Sequence, residues 1–129
     1  MTRRKVSEGS EFERLAGYAR AVRIGSHVAV SGTAALLDGA VLHPGDAYAQ
    51  TREALRKALE AASQLGAASG DVIRTRLLLV EGCDWRGAVR AHGETFGGVD
   101  PANTTYFVSG FVPEGVIVEV ELDAIVEDA

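Results

Sequence analysis

At 129 residues and 13.6 kDa, the chain has the size of one domain, spanning 1–129, and can bury a core without cross-links. Its 47% hydrophobic and 24% charged residues exclude a disordered chain, and no apolar run approaches the ~20 residues of a membrane-spanning helix. A net charge of −5 argues against nucleic acid as the main partner, while the lone Cys83 excludes an intrachain disulfide and a cysteine-rich zinc site.

Residues 1–16 read as an N-terminal extension or edge strand, with Arg3-Arg4-Lys5 supplying the charges that keep an edge from aggregating. The start lacks a signal-peptide apolar stretch, which with a single thiol predicts a reducing cytoplasm. Past Lys5 the only lysine is Lys57, and no basic stripe interleaves with aromatics as RNA contact would need. From Ala19 to Thr33 the chain reads as two extended pieces turned at Gly25-Ser26, followed by turns at Asp38-Gly39 and Pro44-Gly45.

The clearest element is a helix from Asp46 to Leu65. Ala47, Ala54, Leu55, Ala58, Leu59, Ala62 and Leu65 recur at helical spacing, Asp46 suits the N-cap and Gly66 the left-handed end. Asp71–Val80 alternates as a strand, with Ile73, Thr75, Leu77 and Leu79 on one face and Val72, Arg74, Arg76, Leu78 and Val80 on the other. A second helix from Asp84 to about Gly97 carries the stripe Trp85, Ala88 with Val89, His92 and Phe96. Two strands close the chain, about Thr104–Phe111 and Val116–Val126, joined by a short turn through Pro113-Glu114-Gly115. Two long helices cover one face of such a sheet, and apolar residues on the other face, Ile117 and Ile125 among them, predict self-association.

Alternation places Glu119, Glu121 and Asp123 on one side of the last strand, and Arg74 with Arg76 on one side of an earlier one. Two readings fit: cross-strand ion pairing, or a glutamate held in a cleft as a general base for water. His92 reads either as a half-buried structural histidine or as an acid-base group, and Cys83 as a small buried thiol or a nucleophile. Arg90 and Glu94 stand i,i+4 apart as a surface pair. No metal-ligand spacing, phosphate-cradling glycine loop or Ser-His-Asp order stands out, so neither metal nor cofactor is expected.

Several segments, taken in order, resemble the Rid family of YjgF-type reactive-intermediate (enamine/imine) deaminases, also described as L-PSP endoribonuclease-like. They are Gly17-Tyr18-Ala19-Arg20-Ala21-Val22, Val30-Ser31-Gly32-Thr33, Ala49-Gln50-Thr51-Arg52, and Gly70-Asp71-Val72-Ile73-Arg74-Thr75. The series continues with Ala91-His92-Gly93-Glu94-Thr95-Phe96-Gly97, Asp100-Pro101-Ala102 and Val118-Glu119-Val120-Glu121. The resemblance implies an α+β, chorismate-mutase-like fold: a sheet of about six strands backed by two helices, assembled into a trimeric barrel with clefts between subunits. It implies cofactor-free hydrolysis of a small imine or enamine in those clefts. Glu121 takes the position of the water-holding catalytic residue. Tyr18, Gly32, Thr33 and Thr105 fall at cleft positions, and Arg90 and His92 stand near enough in the pattern to assist.

In the family pattern an arginine that grips a substrate carboxylate follows Pro-Ala. Here Pro101-Ala102 is followed by Asn103, so the resemblance is to an arginine-lacking branch, with an amide where the bidentate cation would be. Three functions are therefore in view: a hydrolase or deaminase of a small imine-like metabolite, a homotrimer that binds a small molecule without turnover, and an endoribonuclease-like activity. The acidic chain disfavours the last.

Overall fold

The longest helix shows how composition is converted into architecture. In the computed structural model, which describes residues 2–127, helix α2 runs Ala47–Ser63 and the side chain of Asp46 caps it by accepting from the backbone N–H of Ala49 at 3.0 Å. Its buried face is narrow and small, with Ala54, Leu55, Ala58 and Ala62 at 1% exposure or less, so the helix lies close against the sheet. Gly66, at φ +90°, turns the chain out of the helix in a conformation that side-chain-bearing residues rarely adopt.

The other elements are β1 (Arg3–Val6), α1 (Glu11–Ala16), β2 (Ala21–Ile24), β3 (His27–Ala34), the two-residue strands β4 (Leu36–Leu37) and β5 (Ala40–Val41), β6 (Val72–Val80), α3 (Trp85–Phe96), β7 (Ala102–Val108) and β8 (Val118–Ile125). Six strands form one sheet in the order β1-β2-β3-β8-β6-β7. All neighbours are antiparallel except β6 and β7, which run parallel because α3 carries the chain back between them. Helix α2 lies over β3 and β8, with α3 beside it on the same face. The core between these layers holds Val28, Leu77, Leu79, Val118, Val120 and Leu122, each at 1% exposure or less. This is the α+β architecture expected, a six-stranded sheet backed on one side by two long helices.

Four sequence expectations are corrected. β7 and β8 are not a hairpin: β6 stands between them, and residues 109–117 cross from one to the other. A bulge between Val72 and Arg74 resets the alternation of β6, burying Val72 to 4% with Thr75, Leu77 and Leu79 and leaving Ile73 50% exposed. In α3 the buried residues are Gly87, Ala88, Ala91 and Phe96, while Trp85 and Val89 face outward at 44% and 43%. Finally, within the stretch read as an extension or edge strand, Glu11–Ala16 form a short helix, α1, ahead of β2, while the turn expected at Asp38-Gly39 is present and closes a small β4–β5 hairpin.

Gln50 ties the helix layer to the start of β8. It is fully buried, its Nε2 donates to the carbonyls of His43 and Gly115, and its Oε1 accepts from the Ile117 N–H at 3.1 Å. The strand bearing the carboxylates is thereby held in register at its first turn.

Candidate functional site

The open face of the sheet is charged at its centre. Register sets Asp123 of β8 opposite Arg74 of β6, Glu121 opposite Arg76 and Glu119 opposite Leu78. Arg76 and Glu121 form an ion pair at 3.3 Å. On the other flank of β8, a register shift between Val30 and Thr33 breaks the β3 pairing and hollows the surface. The result is a cavity of about 580 Å³ whose lining includes Tyr18, Arg20, Gly32, Glu119, Glu121 and Asp123.

Each wall of that cavity has a structural cause. Gly32 leaves room for the Glu119 carboxylate, because an added Cβ would stand 2.5 Å from its Oε1 and displace it. The guanidinium of Arg20 donates to the Gly32 carbonyl at 2.9 Å and to Thr33 Oγ1 at 3.4 Å, and it lies 5.4 Å from the centre of the Tyr18 ring. Behind it sits the buried Glu13, whose carboxylate is 3.6 Å from Arg20 Nε. Burial raises the Glu13 pKa, but bonds from Ser7, Ser10 and the Glu8 N–H, with the nearby Arg20, carry it below the ordinary value. Glu119 is shifted the opposite way. Burial pushes its carboxyl up, Arg20 pulls it partly back, and the neighbouring Glu121 adds a lesser rise.

A second polar cluster occupies the helix side of β6 and β7. Thr75 is fully buried, and its hydroxyl lies 2.7 Å from Nε2 of His92 on α3 and accepts from Nδ2 of Asn103 at 3.0 Å. Thr105 donates in turn to Oδ1 of Asn103 at 2.8 Å. Burial lowers the His92 pKa, so the imidazole is neutral at neutral pH and contributes hydrogen bonds, not charge. Asn103 and Thr105 lie on the exposed edge strand, open to whatever docks there.

Of the residues singled out in the sequence, Tyr18, Gly32 and Glu121 thus converge on the open-face cavity, while His92, Asn103 and Thr105 converge on the β7 edge. The sheet stands between the two groups. Thr33 is 3% exposed and holds Arg20 and the Ser31 carbonyl from beneath. Arg90 joins neither group: its guanidinium lies 4.1 Å from the centre of the Tyr48 ring, and the Tyr48 hydroxyl bonds to Glu94. Sequence spacing did not single out Thr75, and it rated Glu119 equal to its neighbours, since which carboxylate Arg76 would take depends on register. Burial also raises the pKa of Cys83, which removes the thiolate a nucleophile needs. Among the described residues no cluster of His, Cys, Asp and Glu could hold a metal, and no helix is long and apolar enough to cross a membrane.

A half-covered mixed sheet, with an acid-lined cavity opposite its helices, defines this molecule as an α+β domain of the YjgF type. The chain belongs to the Endoribonuclease L-PSP family, which matches residues 8–126. It is 40% identical over 121 residues to the protein SCO2049 of Streptomyces coelicolor, covering 94% of this chain and 90% of that one. Its fold superposes with a TM-score of 0.86 on the crystal structure of Rv2704 from Mycobacterium tuberculosis, a member of the YjgF/YER057c/UK114 family. That pair is 42% identical, over 97% of this chain and all of the other. The E. coli protein TdcF, solved with bound serine, shares the fold at a TM-score of 0.78 and 20% identity, over 96% of this chain and 94% of TdcF.

Proposed function

We propose that the chain forms a homotrimer in which the open-face cavity of one copy meets the β7 edge of the next, and that this cleft hydrolyses a small imine or enamine without a cofactor. The observation that carries the reading is the placement of Tyr18, Gly32 and Glu121 on one face of the sheet and Asn103, Thr105 and His92 on the other. A molecule touching both groups must lie between two copies. In the reaction Glu121 accepts a proton from water as its oxygen bonds to the imine carbon. The C–N bond then breaks, and imine plus water becomes a carbonyl compound plus ammonia. Arg76 keeps Glu121 in place at 3.3 Å, while Asn103 and Thr105 hold the substrate by neutral hydrogen bonds.

The test is Glu121→Gln, which keeps the shape but cannot take a proton. Ammonia release from freshly generated imines falls by roughly 100-fold or more, with sedimentation still reporting a trimer. An unchanged rate, or a stable monomer at micromolar concentration, refutes the reading. One observation favours a trimer that binds a metabolite without turnover: both ends of the Asn103 amide already have partners within the chain. Tight binding with no ammonia from any imine would support that alternative.

A further inference from the structure

The charges that remain after internal pairing assign a substrate class to this cleft, an inference that rests on the reading just proposed. On the open face Arg20 lies 3.6 Å from Glu13, and Arg76 lies 3.3 Å from Glu121. Asp123 has Arg74 opposite it in register and His27 at 4.0 Å. Glu119 takes part in none of the ion pairs among the described residues, yet it is half-buried in the cavity wall with its carboxylate seated over Gly32. Of the charged side chains that line the cavity, Glu119 is the one outside these ion pairs, with Arg20 exerting a partial pull on it.

The β7 half does not reverse this balance. Thr75, Asn103 and Thr105 are neutral, and no arginine or lysine bonds to them among the described residues. The one titratable group there, His92, is kept uncharged at neutral pH by burial. A carboxylate drawn into this cleft would lose water, would find the lining cation Arg20 already engaged by Glu13 and the Gly32 carbonyl, and would approach Glu119, which has no ion-pair partner of its own. A protonated imine would instead supply the charge that Glu119 lacks. Burial, more than any neighbouring charge, raises the Glu119 carboxyl, and a cation seated beside it would offset that cost.

We propose that the cleft takes small imines derived from amines, iminium cations that carry no carboxylate, in preference to imino acids. The balanced reaction is iminium plus water giving a ketone or aldehyde plus ammonium. Glu119 faces the cationic C=N group, Glu121 handles the water, and Asn103 with Thr105 bonds an uncharged polar end or packs against an apolar one.

Binding separates this inference from the hydrolysis, because it requires no turnover. The probes are isobutylammonium, its near-isosteric anion isovalerate, and valine, which is isobutylammonium with a carboxylate added. Calorimetry on the full chain at neutral pH reads the affinity of each probe. Isobutylammonium binds about ten-fold or more tightly than either carboxylate. Glu119→Gln removes most of the preference, while Asn103→Arg turns the preference toward isovalerate. The inference is overturned if valine or isovalerate binds as well as the amine, if the amine does not bind at millimolar concentration, or if the preference survives Glu119→Gln. Loss of ammonia release in Glu121→Gln bears on the hydrolysis alone.

Discussion

Replacing Gln50 by leucine tests whether one buried amide sets the start of β8. The side chain is fully buried and satisfies three backbone groups: two carbonyls, of His43 and Gly115, and the N–H of Ile117. Leucine has similar volume, so the cavity cost is small and the loss is polar. The two carbonyl bonds are long, at 3.3 Å each, and contribute the lesser share. The Ile117 N–H, bonded at 3.1 Å, is left without an acceptor next to the core, which costs about 1–3 kcal/mol. With a fraction of that for each weakened carbonyl, the expected destabilisation is about 2–4 kcal/mol. Urea unfolding at fixed protein concentration, followed by circular dichroism, measures it directly. Amide exchange should quicken at Ile117 and Val118, ahead of the rest of β8. A loss below about 0.5 kcal/mol, in the range of an ordinary surface substitution, would show that water or a shifted backbone replaces the amide and that Gln50 does not hold the strand.

Two pH effects follow from the shifted groups. The Glu119 carboxyl is raised above its ordinary 4.5, so the folded state resists its ionisation; the penalty is present above the folded pKa and absent below about 4.5. Glu119→Gln therefore stabilises the protein at pH 7, and the gain shrinks to nothing as pH falls through 4.5; thermal melts that show a constant offset contradict the assignment. His92 is lowered below its ordinary 6.5, so the fold resists its protonation; stability is full above 6.5 and declines as pH falls below it. His92→Gln should flatten the loss between pH 7 and 5, and parallel stability curves for the two proteins would show that the imidazole does not titrate as its burial requires.

The helices were legible in the sequence because their ends are chemically marked. Asp46 and Asp84 accept from backbone N–H groups three residues on, as capping carboxylates do, and Gly66 takes the positive φ that its position suggests. The outward turn of Trp85 and Val89 was not legible. Helix α3 buries a stripe of small residues, Gly87, Ala88 and Ala91, that hydrophobicity alone ranks below a tryptophan. The bulge at Val72–Arg74 leaves no compositional trace, so strict alternation misplaced Ile73. Nor does the sequence show that β6 separates β7 from β8, since a parallel partner is fixed by the helix between strands and not by the turn after them. Within the candidate site, Tyr18, Gly32 and Glu121 could be gathered from the family resemblance, and the structure places them on one cavity. What set Glu119 apart from Glu121 was register: Arg76 stands opposite one and Leu78 opposite the other.

The position of β8 has a consequence for how the molecule comes into being. It follows every other strand in the chain, yet it lies in the middle of the sheet, bridging β3 on one side and β6 on the other. Until residues 118–125 are available, the chain holds two separate ribbons, β1-β2-β3 and β6-β7, each with an unpaired inner edge and an uncovered apolar face. Pairing of β3 with β8 also closes a loop of some ninety residues, the kind of non-local contact that slows folding. A growing chain therefore cannot commit to its native sheet by stages. It stays sticky until one late segment inserts, and then the core, the charged face and the edge strand are completed together.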